Sequence, residues 1–221
     1  MENSDCFINN EINYCRVNGY LVVGTGVYDQ YKPNALSSTY SGKIRIPSSI
    51  ENVPVKEISG SAFSRCIYIT SVHIEQGITK ICDRAFSDCR SLVDIHIPST
   101  IESIGNSAIH FYNYSNSSNF VSTGTCVVYF EANHVLKSIG SVVFAYKENV
   151  VLLFENPVHP KIGVNCLYYV SNPKILSPIT FKFNGIRSSP KILTKYQRCR
   201  SSFSTTFMIS LMIIILSPRI N

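Results

Sequence analysis

Residues Ala85–Gly105 read AFSDCRSLVDIHIPSTIESIG, and this stretch is one copy of a pattern that recurs along the chain. Ile58–Cys66, ISGSAFSRC, returns 23 positions later as Ile81–Cys89, ICDRAFSDC, and a looser third copy begins at Ile104. A fixed period of this length is typical of a solenoid, in which each unit stacks on the next. Because so small a unit cannot bury its apolar face alone, neighbouring copies have to share one continuous core.

Each copy combines a short strand with a return segment. Apolar and polar residues alternate in Ile95–Ile97, as in a strand with one buried face, and Pro98 ends that run. Across residues 85–92 the apolar residues follow at steps of three and four, a helix-like spacing over two turns. The sequence therefore predicts an α/β repeat solenoid with one short strand per repeat and a short helical or irregular return segment.

The run Ala85–Gly105, written Ala-Phe-Ser-x-Cys-x-x-Leu-x-x-Ile-x-Ile-Pro-Ser-x-Ile-x-x-Ile-Gly, closely resembles the BspA-type leucine-rich repeat. The resemblance implies a curved solenoid on a surface-exposed protein with roles in adhesion to host cells or extracellular matrix. It brings no catalytic residues and no cofactor. The partner that we expect is a protein or glycan ligand.

The repeat pattern extends over residues 40–185, with about five or six copies that are clear in the middle and degraded at both ends. Two insertions interrupt it, five residues around Glu51–Pro54 and the polar stretch Phe111–Gly124, which predicts a loop. Residues 1–39 are predicted to form an N-terminal cap, because a solenoid needs atypical ends to cover its core.

Charge and hydropathy set the end of the chain apart. Residues 156–221 hold nine Lys/Arg and no acid, whereas residues 1–155 hold all 14 acids and 11 bases. We assign 186–200 to a basic linker and 201–221 to an apolar C-terminal segment, in which Ser201–Leu216 is uncharged. This run falls just short of the roughly 17 residues that a spanning helix needs. A membrane anchor, a cleaved lipid-anchor signal and a buried terminal element are therefore all open.

Sequence signals on location disagree. The start Met-Glu-Asn-Ser-Asp is not a signal peptide, and the bases ahead of the apolar segment favour a cytoplasmic repeat domain by the positive-inside rule. The family resemblance instead favours the cell surface. We expect a surface or membrane protein, with a cytoplasmic location as the alternative. No recognition motif accompanies the basic tail, so nucleic acid is not expected as a partner.

One outward column of the strands is a candidate binding site. Arg45, His73, His96 and Tyr129 occupy the same repeat position, each beside apolar residues that face inward. They are predicted to form a strip on the sheet face that contacts the ligand. A two-His metal site at His73 and His96 and a set of merely solvated side chains are the alternatives, and we assign no metal.

Asn113 and Asn116 each begin a glycosylation sequon in the inserted loop. They are candidate modification sites if the domain enters the secretory pathway, and otherwise belong to an ordinary exposed loop.

The eight cysteines contain no Cys-x-x-Cys, so a structural zinc site has no support. Cys66 and Cys89 share one repeat position and are predicted to form an inward column of thiols. Cys6 and Cys15 are expected to pair if the domain is extracellular and to be free if it is not.

Enzyme motifs are missing from the sequence, which has no Gly-x-Ser-x-Gly, no His-Glu-x-x-His and no Walker-type phosphate loop. The function that we expect is a non-enzymatic leucine-rich repeat binding module, a cell-surface protein that mediates adhesion or protein–protein interaction. An intracellular repeat scaffold and a decayed family member without function are the alternatives.

Overall fold

A computed structural model describes residues 5–25, 33–112, 122–132, 135–155, 160–177 and, for the backbone alone, 191–193. These residues form sixteen β-strands. In chain order the strands are β1 (Cys6–Asn9), β2 (Ile12–Val17), β3 (Tyr20–Val23), β4 (Ser41–Ile46), β5 (Ser49–Ile50), β6 (Val53–Ile58), β7 (Tyr68–Ile74), β8 (Lys80–Ile81), β9 (Asp94–Ile97), β10 (Ser103–Ile104), β11 (Ser122–Phe130), β12 (Ser138–Ile139), β13 (Lys147–Phe154), β14 (Lys161–Ile162), β15 (Asn172–Leu176) and β16 (Lys191–Leu193).

The described strands make two sheets whose inward side chains belong to one hydrophobic cluster. The long-strand sheet has seven parallel strands in the order β16-β15-β13-β11-β9-β7-β4. The short-strand sheet has nine strands, with a path β1-β2-β3-β6-β8-β10-β12-β14 and β5 paired to β6. Each turn of the solenoid, which we call a rung, adds one strand to each sheet. One rung adds β7 and β8, the next adds β9 and β10, and so on. The repeat solenoid is therefore confirmed, but each rung carries two strands where one was predicted.

The strand registers stack equivalent residues on one another. In the short-strand sheet Ile58, Ile81, Ile104, Ile139 and Ile162 lie opposite one another in successive strands. All but the last of these are buried. The repeat period predicts the same column of isoleucines. Each of them adds to a hydrophobic core that a single rung could not bury alone.

The return segments, predicted to be helical or irregular, are turns, and the helical alternative is not confirmed, since no residue in the described ranges is helical. The backbone φ angle is positive at Arg84 (58°) and Asp88 (64°), and equivalent residues of other rungs repeat this. Left-handed residues at every fourth position interrupt a right-handed helix. Alternate N–H groups bond to the next rung instead, as the N–H of Phe63 does to the carbonyl of Ala85 at 2.8 Å. The α component of the predicted α/β class is therefore not confirmed.

Neighbouring rungs approach each other closely at the glycines that follow three of the short strands. A Cβ added at Gly140 would lie 2.6 Å from both the backbone N of Asn106 and the backbone C of Gly105. Gly105 and Gly163 are in the same situation relative to the rungs that precede them. At these three positions a side chain would collide with the preceding rung, whereas the equivalent positions of two earlier rungs hold Ser59 and Cys82.

The two predicted insertions have different outcomes. The residues near Glu51–Pro54 form a tight hairpin, in which Ile50 pairs with Val53 and the two residues between them have positive φ. Positive φ at both central positions defines a type I′ turn, the usual hairpin connection. The loop predicted for Phe111–Gly124 is wrong for its last three residues, which belong to β11.

The N-terminal residues form an antiparallel meander, β1-β2-β3, whose last strand continues in parallel with β6. Before β3 the chain turns at Gly19, whose φ is positive (83°). The meander adds the inward side chains of Tyr14, Leu21 and Val23 to the core cluster.

Candidate functional site

The structure brings the four residues of the predicted strip together. Arg45 lies opposite His73, His73 opposite His96, and His96 opposite Tyr129, on successive strands of the long-strand sheet. The rings of His73 and His96 stack with centroids 4.7 Å apart, and those of His96 and Tyr129 with centroids 5.0 Å apart. The strip is therefore a stack of three rings with a guanidinium at one end.

A carboxylate holds the guanidinium end of the strip. The Nε of Arg45 donates to Glu75 at 2.6 Å, and the backbone N–H of Ser48 donates to the same carboxylate at 2.9 Å. The Ser48 hydrogen bond, followed by the contact with Arg45, lowers the pKa of Glu75. The Arg45 side chain is 72% exposed, so its remaining donors face solvent while the carboxylate fixes its position.

A second carboxylate touches the middle of the strip. Glu131 lies 3.2 Å from the Nε2 of His96, and it also accepts a hydrogen bond from the backbone N–H of Ser99 at 3.0 Å. Sequence reasoning missed both glutamates. Their position in the repeat could have indicated them, because Glu75 and Glu131 each follow directly after the last inward residue of a long strand.

Burial decides the charge of the central ring. Burial is the largest effect, and it lowers the pKa of His96. The charge of Glu131 opposes this shift because it favours the imidazolium, whereas the neighbouring His73 lowers the pKa further. At neutral pH the central ring is therefore an uncharged aromatic surface. Because the rings face one another along the column, the strip offers ring edges and the exposed guanidinium to a ligand, and these groups can contact aromatic or hydrogen-bonding groups of a protein or glycan.

Beyond Tyr129 the same outward column becomes aliphatic. Leu153 lies opposite Tyr129, Leu176 lies opposite Leu153, and Val127 and Val151 face each other in the neighbouring column. We call Val127, Val151, Leu153 and Leu176 the outer apolar patch; they form a cluster of their own, separate from the core, with Tyr129 packed against it. Sequence reasoning missed this patch because the run Val150–Phe154 does not alternate, and such runs are typical of strands buried on both faces.

A second aromatic cluster, which was not predicted, lies on the turns. His110, Tyr112, Tyr146 and Tyr169 are in ring contact, and the centroids of Tyr112 and Tyr146 are 4.9 Å apart. Burial, and to a smaller extent the charge of Arg84, lowers the pKa of His110 to about 4. His110 is therefore a neutral core residue at physiological pH.

The cysteines that the structure describes are either paired or free. Cys6 and Cys15 lie opposite each other in β1 and β2 and are joined by a disulfide. Cys66 and Cys89 are free and buried, as predicted for an inward thiol column. Burial raises the pKa of Cys66 to about 12 and raises that of Cys89 as well.

The arrangement of His73 and His96 does not support the alternative of a two-His metal site. Within the described residues, no group of three or more His, Cys, Asp and Glu side chains is placed to hold a metal ion. The imidazoles of His73 and His96 stack face on face, an arrangement that uses their rings rather than aiming two nitrogens at one point.

Several predictions concern residues outside the described ranges. These are the sequon residues Asn113 and Asn116, the linker 186–200 apart from β16, and the segment 201–221.

In the part of the chain that the structure describes, no helix has the length and hydrophobicity needed to cross a membrane.

The chain combines two sheets, return turns that hydrogen-bond from rung to rung, and columns of equivalent inward residues. These features define a leucine-rich repeat solenoid. The chain belongs to the family described as BspA type Leucine rich repeat region, whose profile matches residues 29–151 and 56–185 with six copies. The predicted BspA-type repeat is thus confirmed.

One solved structure to which the chain is similar is that of the pneumococcal vaccine antigen PcpA. The TM-score is 0.49 and the sequence identity 21%, over 79% of this chain and 51% of that chain. The chain thus spans about half the length of that structure. No curated protein matches the sequence.

Proposed function

We propose that the chain is a non-enzymatic binding module of a cell-surface protein, and that it contacts a protein or glycan through the strip of Arg45, His73, His96 and Tyr129. The observation that carries this proposal is the continuous outward stack of three rings with an exposed guanidinium at its end. None of these four side chains belongs to the inner core cluster, and only Tyr129 also packs against the outer apolar patch.

The order within the strip favours binding. Association is opposed by the entropy lost when flexible side chains become fixed in an interface. His96 already lies between two rings and against Glu131, and Arg45 is already held by Glu75. Such a surface gives up less freedom to a ligand than scattered, solvated side chains would.

Two observations support a surface location. Family membership carries the expectation of a surface-exposed adhesion protein. The Cys6–Cys15 disulfide adds to it, because disulfides persist in oxidising compartments and are rare where thiols are kept reduced.

The chemistry of the described residues supports a non-enzymatic role. Nucleophilic cysteines need a lowered pKa and access to solvent. Cys66 and Cys89 are buried with raised pKa values, and His96 stacks between two rings and contacts a carboxylate.

Protease shaving of intact cells tests the location. The protein is expressed with an N-terminal tag in cells that also carry a tagged cytosolic protein as the control. The proposal predicts that protease removes the tag of this chain without lysis while the control tag survives. A tag that is cleaved only after permeabilisation would contradict the proposal and assign the chain to an intracellular scaffold.

A further inference from the structure

β1 is weakly supported by the rest of the fold. It lies at the edge of the short-strand sheet and, among the described strands, pairs with β2 alone, over Cys6–Asn9. Its side chains add little to the core, since Phe7 is half-buried and the others lie outside the core cluster. Few buried apolar contacts are typical of segments that open locally. The Cys6–Cys15 disulfide is therefore a main support of β1.

The rest of the meander is held independently of β1. The side chains of Tyr14 in β2 and of Leu21 and Val23 in β3 are at most 1% exposed. β3 continues in parallel with β6, and the N–H of Asn13 in β2 donates to the carbonyl of Ala35 at 2.7 Å. Opening of β1 would thus leave β2 and β3 attached to the solenoid.

The disulfide lies where a reductant can reach it. Phe7 and Tyr14 point toward the core, so Cys6 and Cys15, which alternate with them along the strands, lie on the outer face of the sheet. Cys6 is exposed, whereas Cys15 is only 2% exposed. Because thiol–disulfide exchange depends on access to the attacked sulfur, Cys6 is the expected site of attack.

The free cysteines of the described residues are poorly suited to open this disulfide from within. Four of them are buried and one is half-buried, and burial raises the pKa of every one: Cys66, Cys82, Cys89, Cys126 and Cys166. The thiolate, not the thiol, is the attacking species. The described cysteines therefore do not supply the reductant.

We propose that the Cys6–Cys15 disulfide is a redox latch, which an external dithiol opens to release β1 from β2 while the solenoid stays folded. Release of β1 uncovers the edge of β2 and the ring of Tyr14, on which Phe7 stacks with ring centroids 6.0 Å apart. This inference does not depend on the binding role of the strip.

The reaction is a thiol–disulfide exchange in two steps. One thiolate of the dithiol attacks the sulfur of Cys6 and breaks the Cys6–Cys15 bond, and Cys15 leaves as a thiolate that takes up a proton. The second thiol of the dithiol then displaces Cys6 from the mixed disulfide. In total two electrons and two protons pass from the dithiol, which becomes a disulfide, to the two cysteines, which become thiols.

Two backbone amides distinguish opening of β1 from loosening of the whole meander. The N–H of Arg16 donates to the carbonyl of Asp5 at 3.1 Å, and hydrogen-bonded pairs alternate along antiparallel strands, so the amide of Tyr14 is bonded to β1. By the same alternation the amide of Val22 in β3 is bonded to β2 on the side away from β1.

Amide hydrogen exchange of the full chain, followed by NMR before and after treatment with dithiothreitol, tests the proposal. We expect exchange at Tyr14 to become roughly tenfold faster or more after reduction, with exchange at Val22 unchanged. Cys6→Ser, which lacks the latch, should show fast exchange at Tyr14 without dithiothreitol. Cys82→Ser, the control, removes a free thiol and should respond as the unaltered chain does.

Three results would overturn the proposal. The first is a disulfide that resists dithiothreitol in the folded chain, as measured by alkylation and mass spectrometry. The second is unchanged exchange at Tyr14 after complete reduction, and the third is faster exchange throughout the solenoid.

Discussion

The imidazole rings of His73 and His96 stack with centroids 4.7 Å apart, one rung of the solenoid separating them along the chain. A positive charge on one ring therefore opposes protonation of the other. Burial and the neighbouring His73 both lower the pKa of His96, and the carboxylate of Glu131 raises it.

These contacts predict opposite effects of two substitutions on one group. Replacing His73 with Asn removes the like charge, so the pKa of His96 should rise toward its ordinary value. Replacing Glu131 with Gln removes the carboxylate that favours the imidazolium, so the pKa of His96 should fall. NMR titration of the His96 ring protons measures both, and shifts in the same direction would contradict the described contacts.

The burial of His110 predicts a loss of stability in acid. Its pKa is about 4 in the fold, below the ordinary value of 6.5, so folding favours the neutral ring. The contribution is complete above pH 6.5 and is lost as the pH falls toward 4. A shift of this size corresponds to about 3 kcal/mol.

Urea unfolding near neutral pH and at about pH 4.5 measures this loss. His110→Gln, which cannot titrate, should lose less stability between the two conditions than the unaltered chain does. Val93→Gln is the control, because Val93 is exposed and does not titrate, so its replacement should leave the acid loss in place. An equal loss in all three proteins would show that His110 does not contribute.

Val142 is a strained residue whose replacement should stabilise the fold. Its φ is 59°, in the left-handed region that β-branched residues avoid. Asn165 has the same conformation (φ 58°) at the equivalent position of the next rung. Val142→Asn should therefore raise the free energy of unfolding by about 1 kcal/mol. Val142→Ala, which keeps the Cβ, should give a smaller gain in the same denaturation experiment, and a loss of stability with Asn would argue against strain.

Phe86 is a main support of the core. It is fully buried and stacks on Phe63 of the preceding rung with ring centroids 5.0 Å apart. Phe86→Ala should lower the free energy of unfolding by about 3–5 kcal/mol. Val93→Ala, in the same repeat but 49% exposed, should change it by no more than about 0.5 kcal/mol. Similar losses from the two variants in guanidinium unfolding would be incompatible with the described packing.

The repeat period accounts for most of what could be predicted. It placed Ile81 and Ile104 in one inward column and His73 and His96 in one outward column, because every rung repeats the same register. It could not reveal the return segment correctly. Apolar residues spaced three and four positions apart are compatible with a helix. Only the positive φ angles of residues such as Arg84 and Asp88 show that the return segments are turns.

The candidate site was predicted in part. Side chains in the strip follow from the alternation of each strand, whereas the contacts of Glu75 and Glu131 depend on how strand ends meet the turns of the preceding rung. The outer apolar patch was missed for a different reason. A run such as Val150–Phe154 carries no alternation, so it does not tell which side chains face outward.

The binding role of the strip is the central claim, and a triple variant tests it most directly. His73→Ala, His96→Ala and Tyr129→Ala are combined in one chain, and binding is measured to cultured host cells, matrix proteins and a glycan array. The control combines Lys80→Ala, Ser103→Ala and Ser138→Ala, an outward column on three rungs of the opposite sheet. At unchanged thermal stability, the account predicts loss of binding for the strip variant alone. Unaltered binding by that variant would contradict it.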